Sequence, residues 1–321
     1  MSLSSWFAVR QELSPNRRKI IGLASFLAPL IIWCAVSYVP FIWHPMVMIT
    51  DIGEVDYFQM DMLVDKTMFN EELANMQSQS KAIPVGTPAN PIYLPAPHLV
   101  VKALYTAFTT KPAQKDGLWL HQSLWQSIQV IFWGFFISSL IGVPLGVLCG
   151  TYSSIGRLFE PFIEFFRYLP APAFGALMVA ILGIYDGPKI AIIVIGTFFQ
   201  QVLIISNTTR KLDYSLLEAA MTLGTNKLKL LQHVVLPGIL PDIYRDLRIL
   251  LGWAWTYLIV AELIGTSSGI TLFITQQARY QHFENVYAAI FIIGFIGLST
   301  DLLLAYLGKR LFRWDKPANK E

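Results

Sequence analysis

The sequence predicts an all-α polytopic membrane protein of six spans, with a small α/β insert outside the membrane after the first span. Three observations predict it. The chain is 54% hydrophobic and only 14% charged, with a mean hydropathy of +0.51, whereas soluble domains carry about a quarter charged residues. Apolar runs recur at the length of about 20 residues that a bilayer requires. The stretch 41–92 breaks that pattern: it holds seven acids and two bases, turn residues and alternating apolar positions, the marks of a folded, water-exposed module.

The first apolar run, residues 20–39 (IIGLASFLAPLIIWCAVSYV), follows Arg17-Arg18-Lys19. It is long and lacks a clean small-x-small cleavage site, so it reads as an uncleaved anchor rather than a leader. In the insert, residues 55–64 (VDYFQMDMLV) read as a strand. Residues 66–77 read as an amphipathic helix with Phe69, Leu73 and Met76 on one face. The Pro- and Gly-rich run AIPVGTPANPIYLPAP leads to a helix at 98–108 along the outer surface. Six of the nine methionines fall in the insert, among them Met46, Met48, Met60 and Met62; without a histidine or cysteine cluster beside them, packing and partner contact account for them better than metal.

Further spans follow at 124–149, 171–185, 190–206, 247–265 and 286–307. Asp186-Gly187-Pro188 separates the third from the fourth as a tight hairpin. With the N-terminus in the cytoplasm, 17 of the 24 lysines and arginines lie inside, and this bias places both termini in the cytoplasm. Boundaries follow: a cytoplasmic segment 1–19, the first helix 20–40, the insert 41–97, a surface helix and linker 98–120, a core 121–314, and a cytoplasmic tail 315–321.

Several classes are excluded or disfavoured. A net charge of +3 is too small to call for a nucleic-acid partner. There is no phosphate-binding loop; Gly308-Lys309 is followed by Arg310, and His44, His98, His121, His233 and His282 are scattered. A metal or nucleotide site within the chain is therefore not expected. Cys34 and Cys149 sit in apolar runs as small hydrophobes.

Between the fourth and fifth spans lies LLEAAMTLGTNKLKLLQHVVLPGILP, residues 216–241. Leu216, Leu217, Ala220 and Leu223 form a helical stripe ending at Gly224, a left-handed cap. Thr225 is placed to cap a second helix that runs to a stop at Leu236-Pro237. Ala219 and Ala220 keep the first helix thin, and Glu218 puts a carboxylate at its tip. Two readings stand: a docking element for another protein, or an amphipathic helix on the membrane surface. Within the spans, Glu262 is either a structural pairing group or a gate in a translocation path. Asp301 is placed to pair with Arg248 or a tail arginine. Gln200, Trp255 and Thr256 are candidate path residues, together with Gln201, Trp253 and Tyr257. A self-contained channel or secondary transporter is the competing class; it would need an internal charge relay or a repeated half.

The order Glu218-Ala219-Ala220, Gly224, Val235-Leu236-Pro237 resembles the coupling-loop signature of ABC-importer permeases, although Met221 stands where that family often has arginine. Gly142-Val143-Pro144-Leu145-Gly146, Arg167-Tyr168-Leu169-Pro170, Asn207-Thr208, Ala254-Trp255, Ala261-Glu262, Gly294, Asp301, Arg310 and Trp314 are similar to the nitrate, sulfonate, taurine and bicarbonate branch. The likeness spans about residues 94–314 and lacks the insert. It implies a type I permease of the bacterial inner membrane that pairs with a second copy in the lipid, docks an ATPase dimer holding ATP and Mg, and takes a small anion or sulfonate-like solute from an extracytoplasmic binding protein. In that family the loop 208–241 is the handle, with Leu217, Glu218, Ala219, Ala220, Leu223, Gly224, Leu236 and Pro237 as its contact residues.

Overall fold

The computed structural model describes residues 14–109, 119–264 and 268–315. Most of the predicted N-terminal segment and tail, and part of the linker after the surface helix, lie outside these residues. The chain divides into two compact units, Met1–Thr106 with Gln277–Ala288, and Ala107–Gln276 with Ala289–Glu321.

In the first unit, α1 (Pro15–Tyr38) opens on a proline at its first turn, where the missing N–H costs nothing, and carries Pro29 inside. Its sides are bare, with Phe26 77% exposed, as befits a helix whose solvent is lipid. After it comes a three-stranded antiparallel sheet in the order β2-β1-β3, made of β1 (Met46–Asp51), β2 (Leu63–Asp65) and β3 (Val85–Ala89). Helix α2 (Lys66–Ser78) packs Phe69, Leu73 and Met76 over Val47, Ile49, Val55, Phe58 and Val64.

The strand expected at 55–64 does not form: turns and irregular backbone occupy most of the stretch, with Asp61 at φ +62, and only its end enters β2. Val55 and Phe58 face the small core from those turns instead. Helix α3 (Pro97–Thr109) follows as expected. It is fastened to α1 by a 2.6 Å hydrogen bond between Tyr38 Oη and His98 Nδ1, while Trp33 Nε1 donates to Pro95 O at 3.2 Å.

The second unit holds α4 (Leu120–Thr151), α5 (Ser153–Arg167), α6 (Gly175–Leu182), α7 (Asp186–Arg210), α8 (Tyr214–Thr222), α9 (Lys227–Leu230) and α10 (Leu236–Ile264). Most of α11 (Ile270–Arg279) and of α12 (Phe283–Leu311) belongs to it as well. Helices α4 and α7 pack closely because a Cβ at Gly142, Gly146 or Gly150 would press on Gln201, Ile205 or Thr209. This is the small-residue spacing by which apolar helices gain contact where lipid gives no hydrophobic drive.

Among the described residues, five helices are long and apolar enough to cross a membrane, or six if α5 and α6 form one span. The third span is thus not the single helix expected at 171–185. Its helix α6 has eight residues and is bent by 85° from α5, because Pro170 and Pro172 interrupt the backbone ladder. The hairpin at Asp186 is tighter than expected: α7 begins at Asp186 itself, with Pro188 in its first turn, where proline is tolerated.

Candidate functional site

Helix α8 is short and held at both ends. Asp213 Oδ1 accepts from the Ser215 N–H at 3.0 Å, and this bond holds the Asp213 carboxyl below the usual carboxylate range. At the other end the Gly224 N–H donates to Met221 O at 2.9 Å and the Thr225 N–H to Ala220 O at 3.2 Å, the double closure that needs a left-handed residue. Gly224 supplies it with φ +78, and an added Cβ there would meet nothing within 4 Å. Glycine is required at this position by conformation, not by space.

Two details of the loop differ from expectation. Asn226, not Thr225, caps α9, its Oδ1 accepting from the Lys229 N–H at 2.8 Å. Leu236-Pro237 does not stop the second helix. Residues Leu231–Val235 widen into a π-turn, in which the Leu236 N–H reaches Leu231 O, and the chain continues as α10. A proline removes one N–H and crowds the carbonyl four residues back; the wider turn gives that carbonyl room. Lys227–Ile264 is therefore one continuous helical segment of 38 residues.

The faces of α8 are now assignable. Leu217 packs on the chain's own cluster of Val147, Ile205, Val235, Ile239 and Ile243, together with Leu236, and Ala220 is half-buried. The stripe expected to enter a partner's groove is thus partly turned inward. Ser215, Glu218, Ala219 and Thr222, spaced i, i+3, i+4, i+7, are all exposed and lie opposite it. Leu223, 86% exposed, projects at the tip beside Gly224, and Pro237 is exposed.

The intramembrane candidates separate. Glu262 is 3% exposed and is not among the residues that line the cleft beside Gln200. Its Oε1 accepts from Ser127 Oγ and its Oε2 from the Thr271 N–H at 2.8 Å, while Ser127 Oγ accepts from the Ile270 N–H at 2.9 Å. The carboxylate thereby meets the first amides of α11, the end of a helix that favours negative charge. Gly269, at φ +109, leaves room for it: a Cβ would stand 2.1 Å from Glu262 Oε1. Nearby, Lys189 is buried and donates to Asp186 and Ser268.

Arg248 Nε lies 2.7 Å from Asp301 Oδ1, as expected from the sequence, although its N–H is not directed at that oxygen. Gln201 is fully buried, accepting from Ser138 and donating to Ser139; it ties α7 to α4. Trp255 packs on the main core, and Thr256 Oγ1 bonds back to Trp253 O. Gln200 does line a cleft of about 80 Å³, with Phe199, Trp253, Tyr257 and Arg167 among its neighbours. Arg167 was not among the path residues read from the sequence, because the cleft forms only where α5 ends against α7 and α10.

A bundle of membrane-length helices, a projecting helix–glycine–helix hook and a continuous helix joining the two define the transmembrane subunit of a transport system. Residues 142–313, more than half of the chain, match the family described as binding-protein-dependent transport system inner membrane component, and the chain belongs to that family. The taurine transport system permease protein TauC of Escherichia coli is 31% identical over 70% of this chain and 81% of its own length. A probable ABC transporter permease protein of Brucella abortus is 31% identical over 61% of this chain and 78% of its own. A chain of the MetNI methionine ABC transporter in an inward-facing conformation superposes with a TM-score of 0.53 at 20% identity, covering 62% of this chain and 98% of that one, a likeness of fold. The chain is a transport subunit of the taurine, sulfonate and bicarbonate branch of ABC permeases.

Proposed function

We propose that this chain is the permease of an ATP-driven importer for a small anion or sulfonate-like organic solute, and that hook α8 is gripped by a separate ATPase. The exposed face of α8 carries this reading. A helix made thin by Ser215, Ala219 and Thr222, with the carboxylate of Glu218 at its centre and Leu223 at its tip, suits a groove bearing a basic residue on another protein. The hook faces the cytoplasm with both termini, which is the side where nucleotide is available. ATP and Mg belong to the ATPase dimer, and this chain binds neither.

Closure of the ATPases displaces the hook, and the segment Lys227–Ile264 carries that displacement to the cleft-lining Trp253 and Tyr257 without a break in the helix. At 1.5 Å per residue it reaches over roughly 55 Å. A second copy of the chain completes the path in the lipid bilayer. An extracytoplasmic binding protein delivers the solute, and the acidity of the β1–β3 module favours a basic docking face. No catalytic step falls to this chain, and no nucleic acid takes part.

The test is purification of the tagged chain from cells that also express its ATPase. Wild type retains the ATPase, whereas Glu218→Arg and Gly224→Pro lose it together with uptake. An ATPase retained and fully stimulated in both variants contradicts the assignment.

A further inference from the structure

The cleft between the end of α5 and the middles of α7 and α10 holds an uncompensated cation. Arg210, Arg245 and Arg248 each lie against a carboxylate: Glu160, Asp242 with Asp315, and Asp301 respectively. Among the described residues no carboxylate lies within 4.0 Å of Arg167. Its guanidinium donates to Tyr168 Oη at 3.1 Å and sits 5.0 Å from the centre of that ring. One contact from a side chain with five N–H donors leaves most of its hydrogen-bonding capacity for another partner.

Depth makes this unusual. The cleft residues Gly196, Phe199 and Gln200 lie in the middle of α7 (Asp186–Arg210). At 1.5 Å per residue, Gln200 stands about 21 Å from one end of that helix and about 15 Å from the other, near the centre of an apolar core about 30 Å thick. A cation at such a depth is costly and is kept where it faces a pathway. The other lining groups fit the same ligand. Gln200 offers an amide, and Phe166, Phe199, Trp253 and Tyr257 form an apolar wall. Gly196 brings that wall close, since its added Cβ would stand 2.9 Å from the Tyr257 ring.

We propose that this cleft is the anion-selecting subsite of the translocation path. Arg167 receives the charged head of the passing solute, the Gln200 amide a second oxygen, and the aromatic wall its short apolar body. The subsite rests on the importer reading above and assigns recognition of the solute's anionic head to Arg167 within it.

The test uses the full complex with its ATPase and binding protein in cells, and labelled taurine, ethanesulfonate, sulfate and bicarbonate as probes. Wild type takes up at least one of the four. Arg167→Gln lowers that uptake at least tenfold and Arg167→Lys, which keeps the charge, restores a substantial part. Arg157→Gln, on the same helix but outside the cleft, leaves uptake unchanged. Three results overturn the subsite: uptake by Arg167→Gln equal to wild type, equal loss in the Gln and Lys variants with the complex no longer assembling, or no uptake of any probe by a wild-type complex that does assemble. Failure of the importer reading appears separately, as absence of the ATPase from the purified wild-type complex.

Discussion

Replacing Glu262 tests whether this carboxylate is a structural clamp for α11. In Glu262→Leu the Ser127 hydroxyl loses its acceptor and the Thr271 N–H loses its own, in a place where the glutamate is 3% exposed. An orphaned buried donor costs about 1–3 kcal/mol, so two give a loss of about 2–6 kcal/mol. Glu262→Gln keeps one acceptor but turns an NH₂ toward either Ser127 or Thr271, leaving one clash of donors and about half that loss. Thermal unfolding of the detergent-purified protein, followed by the fraction remaining monodisperse, reads the order: wild type highest, Gln lower, Leu lowest. Because Ser127 bonds both Glu262 and Ile270, Ser127→Ala combined with Glu262→Gln destabilises by less than the sum of the single changes. A Leu variant that melts with wild type, or a strictly additive pair, refutes the clamp and returns Glu262 to the list of gating residues.

Gly224→Ala meets no atom, so its cost is the left-handed backbone alone, about 1–2 kcal/mol; Gly224→Asn, which tolerates that conformation, retains more uptake than Ala in the same assay. In the external module, Gly86→Ala places a Cβ 2.3 Å from Val47 Cγ1 and 2.8 Å from Met48 O. Strand β3 is thereby pushed off β1, and limited proteolysis cuts the module faster while the hook still binds its ATPase. Asp65 caps α2: the Thr67 hydroxyl and N–H hold its carboxyl below the usual range. A depressed value stabilises above the ordinary carboxylate range, so protection of α2 from hydrogen exchange falls as pH drops through that range, and Asp65→Asn flattens the dependence.

Long apolar runs and the glycine-broken hook were legible because each depends on local chemistry. Lipid demands a continuous apolar stretch, and a left-handed cap demands Gly224. The Arg248–Asp301 pair was legible for a related reason, since few acids exist in the spans and a nearby arginine offsets the cost of keeping one there. Other features depended on contacts distant in sequence. Strands β1 and β3 form by pairing with each other across residues 52–84, and β3 carries a glycine and a proline that argue against a strand when read alone. Glu262 finds Ser127 135 positions away, so its capping role had no local signal. The third span's bend was signalled by Pro170 and Pro172, but apolar composition alone concealed it. The inward turn of Leu217 depended on the cluster around Val235 and Ile239, which exists only once the π-turn lets the second helix run on into α10.

The most direct measurement places a photo-cross-linker at Ala219, on the outward face of α8, in cells that also express the ATPase. The expected result is a cross-link to the ATPase whose yield changes when ATP is trapped, and no reaction of a cysteine at the same position with a membrane-impermeant reagent added outside intact cells. Labelling from outside, or uptake that persists after the ATPase is deleted, contradicts it.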